Sequence, residues 1–401
     1  MAASNWLLLV IIAKVFGDYS LGEVALSLSV LSPLFLLSSF KLRTLLITDT
    51  HNEYPIAQYF HARFIANTVL LLCLPLVCWA LLSEIDAIIV ILIALYKWCD
   101  AWFELNISLR HRLRAFSASA AWLICRALVT VMALALAFLS DNLLLTLILW
   151  VCVTATFALL ATLKSSALIL AHFQQTFSLG IWRWQRLRVS LALFKKYHTL
   201  SIALMFSSLF VYLPNLFLQH LQGVSDAGRF AAISYFLVAG SMLITSIAQT
   251  AQPLLSRLQA ERDYQKLRRT SAVLCALGLA IGLLALLITL GLGPQLLSWV
   301  YHPGFIQMAD ELNWIMAAAM IRYAYIFLGT TLNAFREFAV QTRIAGAGTL
   351  AMALSCALLI PSHGTMGAAY AMFIATSLEL LLYILFLLRW PPLSKEAIND
   401  H

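Results

Sequence analysis

Apolar runs of about twenty residues recur along almost the whole chain, and several of them carry a charged residue near their midpoint. A helix needs about 20 apolar residues to cross the ~30 Å hydrocarbon core of a bilayer. The runs fall near 3–17, 20–40, 60–83, 86–108, 116–139, 143–168, 197–220, 227–250, 271–291, 311–333, 343–361 and 366–388. Composition agrees: with 401 residues, 62% of them hydrophobic and 11% charged, there is too little polar surface to cover a soluble globule. The expected fold class is an all-α polytopic membrane protein with about twelve transmembrane helices.

The basic residues test this pattern independently, because short cytoplasmic loops collect Lys and Arg. Alternate loops and the tail hold most of the 26: Lys41 and Arg43; Arg110, Arg112 and Arg114; Arg183, Arg186, Arg188, Lys195 and Lys196; Arg257, Arg262, Lys266, Arg268 and Arg269; Arg336 and Arg343; Arg389 and Lys395. The opposite loops, around Asp18, Glu84, Asp86, Asp141, Asp226, Asp310 and Glu311, hold acids, with Arg229 just inside the following span. Both termini are therefore expected in the cytoplasm. The net charge of +8 is this bias itself, with anionic lipid headgroups as its default partner and no need for nucleic acid. Trp6–Ala13 is apolar but lacks a basic flank and a small-residue cleavage site, so no cleaved signal peptide is expected. The cysteines, Cys73, Cys78, Cys99, Cys125, Cys152, Cys275 and Cys356, all fall within apolar spans and read as small buried hydrophobes.

The 173–196 connection lies near mid-chain, after the sixth span. It divides the protein into an N-lobe (1–172), a cytoplasmic linker (173–196), a C-lobe (197–390) and a cytoplasmic tail (391–401). In the linker, Phe177, Ile181, Trp184, Leu191 and Phe194 share one helical face, the pattern of an amphipathic helix lying on the inner leaflet; a solvated basic linker is the alternative. Pro33, Pro75 and Pro214 interrupt spans and are expected to bend them. Gly346, Gly348, Gly364, Gly367, Ala368 and Ala369 are small residues that let helices pack closely.

Depth follows from a rise of 1.5 Å per residue. Lys97 lies eleven residues beyond Asp86, about 16 Å, near mid-bilayer, with Asp100 and Glu104 at i+3 and i+7 on its face. Arg126, Arg322 and Glu379 are equally central; Lys14 lies toward the outer end of its span and Arg63 toward the inner end of its own. A central charge costs about 2.5–3.5 kcal/mol to insert, so each must face a wet cavity or a partner. Internal pairs are one resolution: Lys97 with Asp100 or Glu104, and Arg322 with Glu379. Lys14, Lys97, Arg126 and Arg322 nevertheless outnumber Asp100 and Glu379, leaving a net positive interior whose complement is an anion such as phosphate or carboxylate. The substrate-binding candidates are Arg126, Lys97, Arg322, Lys14 and Arg63. The titrating groups at depth, Asp100, Glu104 and Glu379, are the coupling or gating candidates.

No nucleotide-binding loop, metalloprotease motif or metal-spaced His or Cys cluster occurs, and the nine histidines are scattered over loops and helix ends. No catalytic residue or cofactor is expected. Uphill transport would draw on an ion gradient, H+ or Na+, or on membrane potential.

Several stretches then suggest a family. Leu21-Gly22, Ser32-Pro33-Leu34, Leu42-Arg43, Asp49 and Tyr59 to Arg63 look like its second span and first inner loop. Lys97, Asp100 and Ser117 to Arg126 look like its fourth and fifth spans, and Gly228-Arg229-Phe230-Ala231-Ala232-Ile233-Ser234-Tyr235 with Ala248-Gln249 and Pro253-Leu254 like its eighth. Ala334-Phe335-Arg336, Gln341, Leu359-Ile360-Pro361, Gly364 and Gly367-Ala368-Ala369 look like its closing spans. In this order they resemble the polysaccharide or O-antigen flippases (Wzx-type translocases) of the multidrug/oligosaccharidyl-lipid/polysaccharide exporter superfamily. Two departures stand out: Leu213-Pro214-Asn215 lacks the basic residue that many relatives carry after the proline, and the first span is short. The resemblance implies two six-helix lobes about a central cationic cavity. It implies a flippase that moves an undecaprenyl-diphosphate-linked oligosaccharide, for O-antigen or another surface polysaccharide, across a bacterial inner membrane by alternating access, as a monomer. The alternatives are an ion-coupled exporter of drugs or metabolites on the same fold, and a membrane polysaccharide polymerase or ligase.

Overall fold

A computed structural model describes residues 2–49, 53–138, 142–173, 184–335 and 337–389. Among them the chain is helical almost throughout. It divides into two compact units, Ala3–Ser208 and Leu209–His401, with the division inside one long helix.

The first unit begins with α1 (Ala2–Val15), α2 (Gly17–Leu37) and the short α3 (Leu42–Thr48). It continues with α4 (Ile56–Leu72), α5 (Leu74–Leu81), α6 (Ala87–Arg112), α7 (Phe116–Phe138) and α8 (Leu143–Phe173). The local causes are visible. Asp86 caps α6, its carboxylate accepting from the Ile88 amide at 2.8 Å. Pro75 enters the first turn of α5, where its missing amide hydrogen costs nothing, and α4 and α5 meet there at 45°. Of the three prolines expected to bend spans, Pro75 marks this break, whereas α2 runs on through Pro33 and the next helix through Pro214.

That helix, α9 (Trp184–Gln222), starts inside the stretch the sequence assigns to the linker; residues 174–183, the rest of the proposed amphipathic face, lie outside the described residues. So do Asp141, Arg336 and the tail from 390 onward. The second unit adds α10 (Val224–Ala260), α11 (Tyr264–Val300), a 3-10 turn (Pro303–Met308), α12 (Ala309–Ala334) and α13 (Phe338–Arg389). Inside α13, Gly364 sits at φ 55°, ψ −132°, a conformation open essentially to glycine, which splits the element into two spans.

Among the described residues, eight helices are long and apolar enough to cross a membrane, and nine if the bent α4–α5 pair is one span. With α13 contributing two spans, and with α6 carrying Lys97, Asp100 and Glu104 in an otherwise apolar stretch, about twelve crossings is consistent with the fold.

Each unit is organised around one helix. In the first, α6 packs against α2, α3, α4, α7 and α8; in the second, α12 packs against α10, α11 and α13. Outward faces are hydrocarbon: Leu72, Trp79, Leu128, Met132, Leu284 and Leu358 are all exposed, which suits lipid and not water. Hydroxyls at depth donate back to their own helix, as Ser27 does to the Glu23 carbonyl at 2.7 Å and Thr154 to the Trp150 carbonyl at 2.9 Å. The cysteines correct one expectation. Cys99 and Cys356 are buried, but Cys73, Cys125 and Cys152 are exposed on the outer helix faces, because a thiol is apolar enough to sit against lipid.

Small residues make the close contacts. A methyl group on Gly367 would strike the Leu359 carbonyl, and one on Gly348 the Glu379 carboxylate. Gly278 and Gly282 of α11 rest directly on the α12 backbone at Tyr323 and Met320.

Candidate functional site

In the first unit the charges at depth converge on α6. Arg126, on α7 and 5% exposed, brings Nη1 to 2.8 Å from Asp100 Oδ1. Its guanidinium lies 4.7 Å over the Phe103 ring, and Nη2 reaches Thr154 Oγ1 at 3.5 Å. One turn along α6, Glu104 receives two arginines: Arg43 Nη1 donates to Oε1 at 2.9 Å, and Arg63 Nη2 reaches Oε2 at 3.3 Å. Arg63 is 4% exposed; Nε donates to the Ala101 carbonyl at 3.4 Å, and Nη1 is buried without a hydrogen-bond partner. The carboxylates expected to neutralise Lys97 are thus spent on arginines from other helices. Lys97 feels Asp100 and Glu104 through space but forms no ion pair among the described residues. Arg43, Arg63, Lys97 and Arg126 stand against Asp100 and Glu104.

Aromatic rings wall the same stretch. Trp98 and Trp102 lie parallel with centroids 5.9 Å apart, and Phe64 presents its edge to both. Lys14 is exposed in the last turn of α1. A buried acid that sequence reading passed over, Glu23 on α2, accepts from the Asp86 amide at 3.3 Å.

The second unit holds its own buried polar group, on α12 and α13. Arg322 Nη1 donates to the Tyr325 hydroxyl at 2.8 Å, and its guanidinium lies 5.4 Å over the Phe210 ring. Tyr325 hydrogen-bonds Glu379 in turn, and Tyr383 stacks on Tyr325 at 5.6 Å. The direct pair of Arg322 with Glu379 expected from sequence is replaced by a relay through a phenol, and Arg322 Nε remains buried without a hydrogen-bond partner. Tyr325 lies at i+3 from Arg322 on the same face, so helical spacing could have found it; nothing in the sequence points to Thr154, Phe210 or the Arg43 contact.

Chemically, both groups offer guanidinium N–H donors, some of them buried, and the first adds an ammonium that forms no ion pair among the described residues. Such donors suit phosphate or carboxylate oxygens. No group of three or more His, Cys, Asp or Glu able to hold a metal occurs among the described residues.

No family model matches the chain. It is 23% identical over 393 residues to the capsular polysaccharide biosynthesis protein CapF of Staphylococcus aureus, an alignment that covers 96% of this chain and 95% of that protein. Among solved structures it is similar to the lipid II flippase MurJ in an inward closed conformation, with TM-score 0.70 and 12% identity over 96% of this chain and 85% of that one. It is similar to an inward-facing MATE-family multidrug resistance transporter of the MOP superfamily, with TM-score 0.67 and 12% identity over 96% and 92%. The Vibrio cholerae MATE transporter VcmN follows at TM-score 0.63 and 14% identity over 100% and 93%. The chain therefore has the fold that these solved transporters share.

Proposed function

We propose that the protein is a flippase for lipid-linked oligosaccharides, moving undecaprenyl-diphosphate-linked repeat units of a surface polysaccharide from the inner to the outer leaflet of a bacterial cytoplasmic membrane by alternating access. The observation that carries this reading is the charge balance on α6: Lys97 without an ion pair and Arg63 with a free buried donor, where two carboxylates are already taken by Arg43, Arg63 and Arg126. A buried cation left over costs several kcal/mol unless an anion or water meets it. A diphosphate is a small dianion whose oxygens match these donors, and its polyprenyl tail can stay in lipid while the head crosses. The capsular polysaccharide relative supports a carbohydrate cargo, and the MurJ likeness supports a fold suited to a lipid-linked one.

Lys97, Arg63 and Arg126 hold the diphosphate in this scheme. Arg322 in the second unit offers the same chemistry through its unpartnered Nε, and Lys14 a further cation. Asp100 and Glu104 set how much positive charge is left over, and Glu379, hydrogen-bonded to Tyr325, is the coupling or gating acid. The protein performs no covalent chemistry, works as a monomer with both termini in the cytoplasm, and draws on a H+ or Na+ gradient or on membrane potential.

The test is deletion of the gene followed by complementation. Lys97→Gln and Arg126→Gln, at normal expression, should cut surface polysaccharide at least tenfold, with complete repeat units accumulating on the inner leaflet. Normal polysaccharide in both variants would overturn the assignment. The MATE likeness keeps a second reading in view, an exporter of drugs or metabolites on this fold. Efflux of cationic dyes that survives loss of Lys97 and Arg126 would select it.

A further inference from the structure

Away from both polar groups, the second unit has a crevice of about 330 Å³ between one end of α11, the C-terminal end of α12 and that of α13. Its walls include Leu267 and Leu279 of α11, Leu328 of α12 and Leu387 of α13. Two hydroxyls also line it, but Ser271 and Thr331 are hydrogen-bonded to each other at 2.8 Å, so the surface they leave is hydrocarbon. At its mouth stands Arg268.

Two features identify the occupant. The first is length: Leu267 to Leu279 is twelve residues of helix, about 18 Å, and one leaflet of a ~30 Å core is about 15 Å deep. The α11 wall is as long as one acyl chain buried in one leaflet, and α12 and α13 close on it near its Arg268 end, at Leu328 to Thr331 and Ile384 to Leu388. The second is charge. Lys266 is committed to Asp263 at 2.8 Å, whereas Arg268 is exposed and forms no ion pair among the described residues, with Arg269 next to it. An unengaged guanidinium at the end of an apolar slot matches a phosphate with a hydrocarbon chain attached, and the alternation of basic loops places this end at the cytoplasmic leaflet, where anionic lipids concentrate.

We infer that this crevice is a binding site for an anionic glycerophospholipid of the cytoplasmic leaflet, with the phosphate on Arg268 and one acyl chain laid between α11, α12 and α13. The inference does not depend on the proposed cargo, since it uses neither polar group.

The experiment uses the full-length protein, stripped of lipid in neutral detergent and titrated with phosphatidylglycerol, read by adduct counting in native mass spectrometry and by thermal shift. Wild type should take up one tightly held phosphatidylglycerol and be stabilised by it, with phosphatidylcholine at least tenfold weaker. Arg268→Gln should weaken phosphatidylglycerol about tenfold, as expected for loss of a charge-assisted contact. Ala276→Phe fills the slot from an exposed wall position, so it should abolish the adduct while the lipid-free protein melts as wild type does. Equal affinity for phosphatidylcholine, binding unaffected by Arg268→Gln and Ala276→Phe, or displacement of phosphatidylglycerol by undecaprenyl phosphate at substoichiometric concentration would each overturn the assignment.

Discussion

Replacing Asp100 with asparagine separates the stability of the first polar group from its capacity for an anion. Asp100 and Arg126 are 2.8 Å apart, with side chains 25% and 6% exposed. Taking the charge centres at roughly 4 Å and an effective dielectric of about 20, their attraction is about 4 kcal/mol. Water reaching the quarter-exposed carboxylate lowers that, so a coupling of about 2–3 kcal/mol is the reasoned value. Asp100→Asn leaves Arg126 facing a neutral amide oxygen in place of the carboxylate, beside the Thr154 hydroxyl and the Phe103 ring, and should destabilise the protein by about 3 kcal/mol, in the range for a buried pair that loses one charge. Arg126→Met should cost a similar amount. Asp100→Asn with Arg126→Met should cost about 2 kcal/mol less than the sum, because the charge no longer needs an answer.

The assay is equilibrium unfolding of the four proteins in mixed micelles, paired with binding of inorganic pyrophosphate. Stability and binding should move in opposite directions: Asp100→Asn, though less stable, frees a guanidinium and should bind pyrophosphate about tenfold more tightly. A coupling below about 0.5 kcal/mol, or pyrophosphate affinity unchanged by Asp100→Asn, would refute the idea that Asp100 holds Arg126 in reserve.

Gly282→Leu places a branched side chain against the α12 backbone at Met320 and should cost more than about 3 kcal/mol, seen as loss of folded protein in fluorescence-detected size exclusion, while Leu284→Ala on the exposed face should be nearly silent. Outside the spans, the Asp49 carboxyl is pushed up by partial burial, but the Glu53 amide, the Tyr59 hydroxyl, the Tyr54 amide and Arg112 together hold it below its ordinary value. With the folded-state pKa depressed, its contribution is present above the unfolded-state value near 4 and lost as pH falls below it. Hydrogen exchange in residues 42–48 should therefore rise between pH 5 and 3 in wild type and show no such step in Asp49→Asn; a step in both would assign it to another group.

The helices were legible because an apolar run of bilayer length admits few other readings, and the depth of Lys97, Arg126, Arg322 and Glu379 followed from counting along it. Which charge meets which was not legible. Spacing along α6 favours Lys97 with Asp100 at i+3, yet a cation placed before its acid is the weaker helical order, and a guanidinium arriving from α7 with a fork of donors takes the carboxylate instead. The Arg63 and Arg43 contacts to Glu104 depend likewise on how α3, α4 and α6 rotate against each other, which no single run encodes. Gly278 and Gly282, four apart in an apolar run, were readable as a close-packing pair and were passed over for Gly346, Gly348, Gly364 and Gly367. Of these, Gly348 and Gly367 do make close contacts.

The distribution of charge within each unit has a common cause. The fourth span, α6, and the tenth, α12, are the helices most surrounded by other helices, and they carry Lys97, Asp100, Glu104 and Arg322 at depth. By contrast α11, whose Leu283, Leu284, Leu287 and Leu290 face outward, has no Asp, Glu, Lys or Arg between Arg269 and Val300. A mid-bilayer charge costs about 2.5–3.5 kcal/mol in lipid, and only a side chain turned toward the other helices of its unit, as Arg126 on α7 and Arg322 on α12 are, can exchange that cost for hydrogen bonds and ring faces such as Phe103 and Phe210. The same shielding limits how many counter-charges can gather round each cation. On α6 that limit leaves Lys97 without an ion pair among the described residues, and a helix built to hide charge from lipid becomes one that attracts an anion.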